Sequence, residues 1–94
     1  MAEYGYTHKK DEITKRLRRA EGQVRGIARM VDEDKYCIDI LTQITAIQAA
    51  LDKVGLELLS EHAKHCLTNP KLNTKELDAK ADELVGAVSR MLSR

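Results

Sequence analysis

From Tyr36 to Cys66 the sequence keeps a single apolar stripe at helical spacing. Cys37, Ile40, Ile44, Ile47, Leu51, Val54 and Leu58 recur in alternating steps of three and four, the period of one face of an α-helix. The only proline of the chain, Pro70, lies beyond this run, so no residue in it lacks the amide hydrogen a helix needs. The spacing predicts one long helix carrying both cysteines of the chain. His62 continues the stripe four residues after Leu58, and Cys66 follows four residues later. Side chains at i and i+4 stand over one another on a helix, so His62 and Cys66 can hold one metal ion from one face.

Cys37 cannot join them within a straight helix. It lies 25 residues before His62, and a rise of about 1.5 Å per residue separates the two by roughly 37 Å. A two-fold axis removes the difficulty. Two helices packed antiparallel about Ala49 and Ala50 bring Cys37 of one chain to His62 and Cys66 of the other, and the small side chains of Ala46, Ala49 and Ala50 allow a close approach. The expected result is two equivalent sites per dimer, each with two sulfurs and one imidazole, which makes the dimer the functional unit.

Two further helices are expected around this one. A first helix runs from Asp11, read as its cap, to Asp32. Its seam is Ile13, Leu17, Ala20, Val24, Ile27 and Val31. The polar turn Asp32-Glu33-Asp34-Lys35 is short enough to make the first two helices antiparallel neighbours. The second helix ends between Leu67 and Asn69, because Pro70 disfavours a helical residue before it. Asn73-Thr74-Lys75-Glu76 reads as the start of the third, with Asn at the cap and Glu three residues on, and Leu77, Ala81, Leu84, Val88 and Met91 form its seam. The fold class is all-α, a three-helix protomer, with residues 11–94 as one domain. Residues 1–10 read as a flexible lead-in, and Tyr4, Tyr6 and His8 have no assigned role there.

A chain of 94 residues makes one domain at most, and alone a marginal one. No apolar run approaches the length of a membrane span. The polar start, residues 1–10, lacks a signal-peptide core, which points to the cytoplasm. In a reducing compartment two cysteines favour metal or redox chemistry over a structural disulfide. Net charge is only +1, but it is unevenly placed: residues 1–29 hold eight Lys or Arg against four Asp or Glu, the rest eight against eleven. The excess lies on the first helix at Lys15, Arg16, Arg18, Arg19, Arg25 and Arg29, with Arg18, Arg25 and Arg29 along one stripe. Arginine suits phosphate because its planar fork donates two parallel hydrogen bonds. The plainer reading is a solvated face with pairs such as Glu21 and Arg25. The basic excess favours a polyanion partner.

Two thiolates and an imidazole suit Cu(I) or Zn(II). Three donors without an obvious fourth favour Cu(I), since Zn(II) wants four. The sequence contains no paired carboxylates, no Ser/His/Asp arrangement and no Gly-rich phosphate loop, so an enzyme is not expected. His65 lies off the seam and is expected to face solvent.

Three segments also carry a family resemblance. They are Arg19-Ala20-Glu21-Gly22-Gln23-Val24-Arg25-Gly26-Ile27, Tyr36-Cys37-Ile38-Asp39-Ile40-Leu41-x-Gln43-Ile44, and His62-x-x-x-Cys66. Over about residues 11–92 the chain resembles the copper-sensing CsoR branch of the CsoR/RcnR repressors. The resemblance implies an all-helical dimer of dimers that binds operator double-stranded DNA when metal-free and leaves it on binding Cu(I). It implies Cys37, His62 and Cys66 as ligands shared between two chains. It places Tyr36 and Glu83, with Asp82 as the neighbouring alternative, as partners of the ligand histidine, and Arg16 and Lys53 among the DNA-contacting charges, to which the basic face of the first helix adds Arg18, Arg19 and Arg25. The nickel- and cobalt-sensing branch has His at the last ligand position, where this chain has Cys66. Two other readings stand beside copper sensing: a thiol or persulfide sensor of the same fold using Cys37 and Cys66, and a copper-binding carrier without a DNA role.

Overall fold

The computed structural model describes residues 4–93. Among them a short 3-10 helix, Thr7–Lys9, leads into three α-helices: α1 (Lys10–Asp32), α2 (Cys37–Leu67) and α3 (Thr74–Leu92). The all-α, three-helix protomer is therefore as the three seams indicate, and α2 runs unbroken through the whole predicted stripe.

The chain divides into two compact units, Lys10–Val54 on one hand and, on the other, the residues up to Lys9 together with those from Gly55 onward. In the first unit α1 and the N-terminal part of α2 form a hairpin. Ile13 and Ala20 of α1 and Ile47 and Val54 of α2 are its buried side chains, each a predicted seam position. The link is built as a Schellman stop. Lys35 N–H donates to the Met30 carbonyl at 3.0 Å and Asp34 N–H to that of Val31 at 3.1 Å. This closure places Asp34 at φ 57°, in the left-handed region. The chain then enters α2 with the Tyr36 carbonyl accepting from Asp39 and Ile40 N–H at 3.1 and 3.2 Å.

α1 starts one residue before the expected cap. Asp11 is not a cap; it sits inside the first turn with Glu12. The 3-10 turn Thr7–Lys9 feeds straight into the helix, with Lys9 N–H donating to the Tyr6 carbonyl at 2.8 Å. Inside the first turn the two carboxylates still oppose the positive end of the helix dipole.

In the second unit the later part of α2 lies antiparallel to α3. Gly55 faces the Met91 thioether and His62 faces Glu83, so residue numbers rise along one helix as they fall along the other. α3 begins as the sequence indicates: the Asn73 side chain accepts from Glu76 N–H at 2.8 Å and donates to the Glu76 carboxylate at 3.2 Å. Ahead of it, Pro70 follows the end of α2, and the Asn69 side chain accepts from Lys71 N–H at 3.0 Å.

The single chain covers only part of its apolar surface. Ile44 and Leu51, in the middle of the α2 stripe, remain 37% and 45% exposed, and Leu17, Val24 and Val31 of α1 are also exposed. Ala46 and Ala49 are exposed beside them. Ile44 and Leu51 stand seven residues apart on one face of α2, and Leu17, Val24 and Val31 are spaced likewise on α1, so each helix keeps part of its apolar stripe in solvent.

Candidate metal centre and nucleic-acid face

His62 and Cys66 are one helical turn apart near the end of α2, and α2 holds them together as the spacing requires. Cys66 Sγ lies 3.5 Å from His62 Nε2 and 3.9 Å from Nδ1. Both side chains are half-buried. A metal bound by sulfur at about 2.3 Å and imidazole nitrogen at about 2.0 Å spaces those two donors roughly 3.5–3.7 Å apart, a spacing that Nε2 meets as it stands and that Nδ1 exceeds by a few tenths of an ångström. α3 supplies the third member of the group. Glu83 Oε1 is 3.5 Å from His62 Nε2, and Glu83 rather than Asp82 is the acid on the ring.

Cys37 and Tyr36 sit at the other end of α2, both exposed. Among the described residues, no three His, Cys, Asp or Glu side chains of the one chain are placed to hold a metal ion together. The chain itself thus brings His62 and Cys66 together at one end of α2 and, separately, exposes the Cys37 thiol at the other.

The basic residues behave as a surface. Arg16, Arg18, Arg19, Arg25 and Lys53 are all exposed. Arg25 pairs with Glu21 at 2.9 Å and Arg16 with Glu12 at 3.5 Å. These are exposed i, i+4 pairs, weak enough to open for a phosphate.

A family model of the metal-sensitive transcriptional repressors matches residues 9–90. The chain belongs to this family. Similar repressors include the copper-sensing transcriptional repressor RicR of Mycobacterium tuberculosis (strain ATCC 25618 / H37Rv), 53% identical over 92 residues that make up 97% of this chain and 96% of that protein. The copper-sensing transcriptional repressor CsoR of Bacillus subtilis (strain 168) is 60% identical over 60 residues, 64% of this chain and 59% of that one. Among solved structures, the copper-sensing repressor CsoR with Cu(I) from Geobacillus thermodenitrificans NG80-2 superposes with a TM-score of 0.79 at 43% identity, covering 92% of this chain and 88% of that chain. A metal-sensitive repressor is a regulator and not an enzyme, in line with the absence of catalytic motifs from the sequence.

One feature of this repressor chain has no periodic signal in the sequence. Residues 4–9 lie as a strap along the second half of α2 and close on Glu61, which is 6% exposed. His8 Nε2 reaches the Glu61 carboxylate at 3.2 Å, Lys9 Nζ at 3.4 Å and Lys64 Nζ at 3.7 Å. Burial works to raise the Glu61 pKa, but the hydrogen bond from Lys9 and the charges of Lys64, Lys9 and His8 outweigh it and hold the carboxyl below its ordinary 4.5. Lys9 is held above its ordinary 10.5, first by its hydrogen bond to Glu61 and then by that residue's charge. A cleft of about 380 Å³ lies between Tyr4, Gly5, Thr7 and His8 of the strap and Glu61, Lys64 and His65 of α2. It is beside the His62–Cys66 pair and not on it. No helix among the described residues is long and apolar enough to cross a membrane.

Proposed function

We propose that the chain is a copper(I)-responsive transcriptional repressor, which holds operator double-stranded DNA when metal-free and leaves it when Cu(I) binds. The observation that carries this reading is the His62–Cys66 pair at coordinating distance with Glu83 on the imidazole. With Nε2 facing Glu83 at 3.5 Å, Nδ1 is the nitrogen left for a metal, 3.9 Å from Cys66 Sγ and within a small turn of the ring of coordinating distance; a carboxylate beside the second ring nitrogen orients the ring and raises ligand basicity. The third donor is the exposed Cys37 of a second copy, antiparallel across a two-fold axis, with Tyr36 entering beside it. The half-covered α2 stripe at Ile44 and Leu51 supports that packing, and a dimer of dimers is the proposed assembly. Cys37 of one chain with His62 and Cys66 of the other would hold Cu(I), a soft ion suited to thiolate and imidazole donors, and binding there would link the two chains.

The exposed charges of Arg16, Arg18, Arg19, Arg25 and Lys53 serve the DNA backbone. Phosphate contacts of this sort position the protein without reading sequence, and each steepens the dependence on salt by about 0.9 in log–log slope. Metal and DNA therefore use different surfaces. Release depends on a difference in copper affinity between DNA-bound and free conformations, carried through His62 to Glu83 and α3. Such a repressor works in the cytoplasm, with residues 11–94 acting as one functional domain. The half-site favours copper over a thiol or persulfide switch, since thiol exchange between Cys37 and Cys66 needs no imidazole. Kinship with repressors of high identity weighs against a carrier without a DNA role.

X-ray absorption on the Cu(I)-loaded protein tests the site. The expected spectrum shows two sulfur neighbours and one nitrogen per copper. A shell of nitrogen or oxygen alone would overturn the reading.

A further inference from the structure

We infer that Glu61 is a positioning residue, which clamps the N-terminal strap to the metal-bearing turn of α2 and ties that turn to the start of α1. The inference rests on the reading of His62 and Cys66 as metal ligands. Glu61 is the buried charged side chain among the described residues, and a carboxylate is buried at a cost unless it is paired. Two of its cationic partners, His8 at 3.2 Å and Lys9 at 3.4 Å, come from the strap. Lys9 also reaches Glu57 at 3.5 Å, one turn earlier on α2, so its ammonium spans two carboxylates on one helical face.

The strap meets backbone as well as charge. Gly5 lies directly on the Glu61 carbonyl and against His65 Cβ, where an added Cβ would collide with both. Neighbouring helical residues point about 100° apart, so the strap holds the Glu61–Cys66 turn from a different side than the one on which His62 meets Glu83. The turn that carries both in-chain donors is thereby gripped between the strap and α3. Lys9, the last residue of the strap, is followed at once by Lys10, the first residue of α1, and α1 bears Arg16, Arg18, Arg19 and Arg25. Movement of the turn as His62 and Cys66 close on a metal is transmitted through Glu61 and Lys9 to the residue from which the basic helix starts.

The test compares the full-length protein with its Glu61→Gln, Lys9→Met and Lys9→Arg variants and with the Glu61→Gln/Lys9→Met double variant. Amide hydrogen exchange of residues 5–9 is read in the metal-free protein, and operator affinity is read with and without Cu(I). Exchange is expected to speed at least tenfold in Glu61→Gln and in Lys9→Met, with Lys9→Arg close to wild type and the double variant no faster than the faster single one. The copper-driven loss of operator affinity is expected to shrink at least fivefold in Glu61→Gln, while Cu(I) affinity changes less than threefold. Because Lys9 is substituted on the solvent side, Lys9→Met tests the clamp even where Glu61→Gln folds poorly. Unchanged strap exchange would show that Glu61 does not hold the strap, and faster exchange with wild-type copper release would show that the strap is not on the route. If the wild type itself keeps its operator in Cu(I), the copper reading falls, and the metal-free exchange data still decide whether the clamp exists.

Discussion

Mixing two differently disabled chains puts the shared metal site to a numerical test. Cys37 opens α2 and His62 and Cys66 close it, so a Cys37→Ala chain keeps the two-donor half and a His62→Ala chain keeps both thiols without the imidazole. Neither forms a complete site with itself. In a heterodimer of the two, one site receives Cys37 from the His62→Ala chain and His62 with Cys66 from the Cys37→Ala chain. The other site has only Cys66. Random assortment at equal concentration makes half of the dimers mixed, so about a quarter of all sites become complete under two-fold symmetry. Titration against a Cu(I)-specific chelator should find roughly 0.25 coppers held at wild-type affinity per chain after unfolding and refolding the mixture, against about one in the wild type, none in Cys37→Ala alone, and only a weaker two-thiolate site in His62→Ala alone. Wild-type affinity in Cys37→Ala alone, or no gain after mixing, would refute the two-chain site.

Three further outcomes follow from the geometry. Glu83→Ala should lose most of the copper-driven drop in operator affinity while keeping Cu(I) affinity within about tenfold, at the lower end of what loss of a group that orients a ligand costs; full derepression in this variant would place the coupling elsewhere. Asp34→Gly removes a non-glycine residue from φ 57° and should stabilise the fold by about 0.5–1 kcal/mol, seen as a rise in thermal midpoint at fixed protein concentration, whereas a fall would contradict the Schellman assignment. The strap should be held most firmly between the ordinary pKa values of its two partners, 4.5 for Glu61 and 10.5 for Lys9. The lowered Glu61 pKa makes its stabilisation present above 4.5 and lost as pH falls through the folded value, while the raised Lys9 pKa makes its own present below 10.5 and lost as pH rises beyond it. Amide protection of residues 5–9 across pH checks both arms, and the acid arm should vanish in Glu61→Gln; an acid arm that persists there would assign it to other groups.

The helices and the juxtaposition of His62 and Cys66 were legible because both are periodic. The three-and-four spacing from Cys37 to Leu58 marks α2, and the same spacing carried on to His62 and Cys66 places the donors one turn apart. Asn73 and Glu76 announce α3 because capping is a local bargain between a side chain and nearby amides. Asp11 misled for a local reason too: an acidic residue before a periodic run suits a cap and a first turn equally, and the 3-10 turn at Thr7–Lys9 settled which. Seam membership also ran ahead of burial. Ile44 and Leu51 belong to the stripe yet stay partly exposed, because periodicity reports what a helix can bury and not which chain covers it. The strap was not legible. Its contacts join residues 5–9 to residues 57–65 through ion pairs and one close glycine, and neither leaves a period in the sequence. Gly5 beside basic residues and the i, i+4 pair Glu57 and Glu61 were the available signals, and each alone has a plainer explanation.

The most direct measurement is operator binding by the metal-free protein, titrated with Cu(I) and in parallel with Zn(II). The expected result is a tight complex without metal, its loss at about one Cu(I) per chain, and persistence of the complex at the same level of Zn(II), which lacks a fourth ligand at this site. A complex that survives stoichiometric Cu(I), or that Zn(II) dissolves equally well, would contradict it.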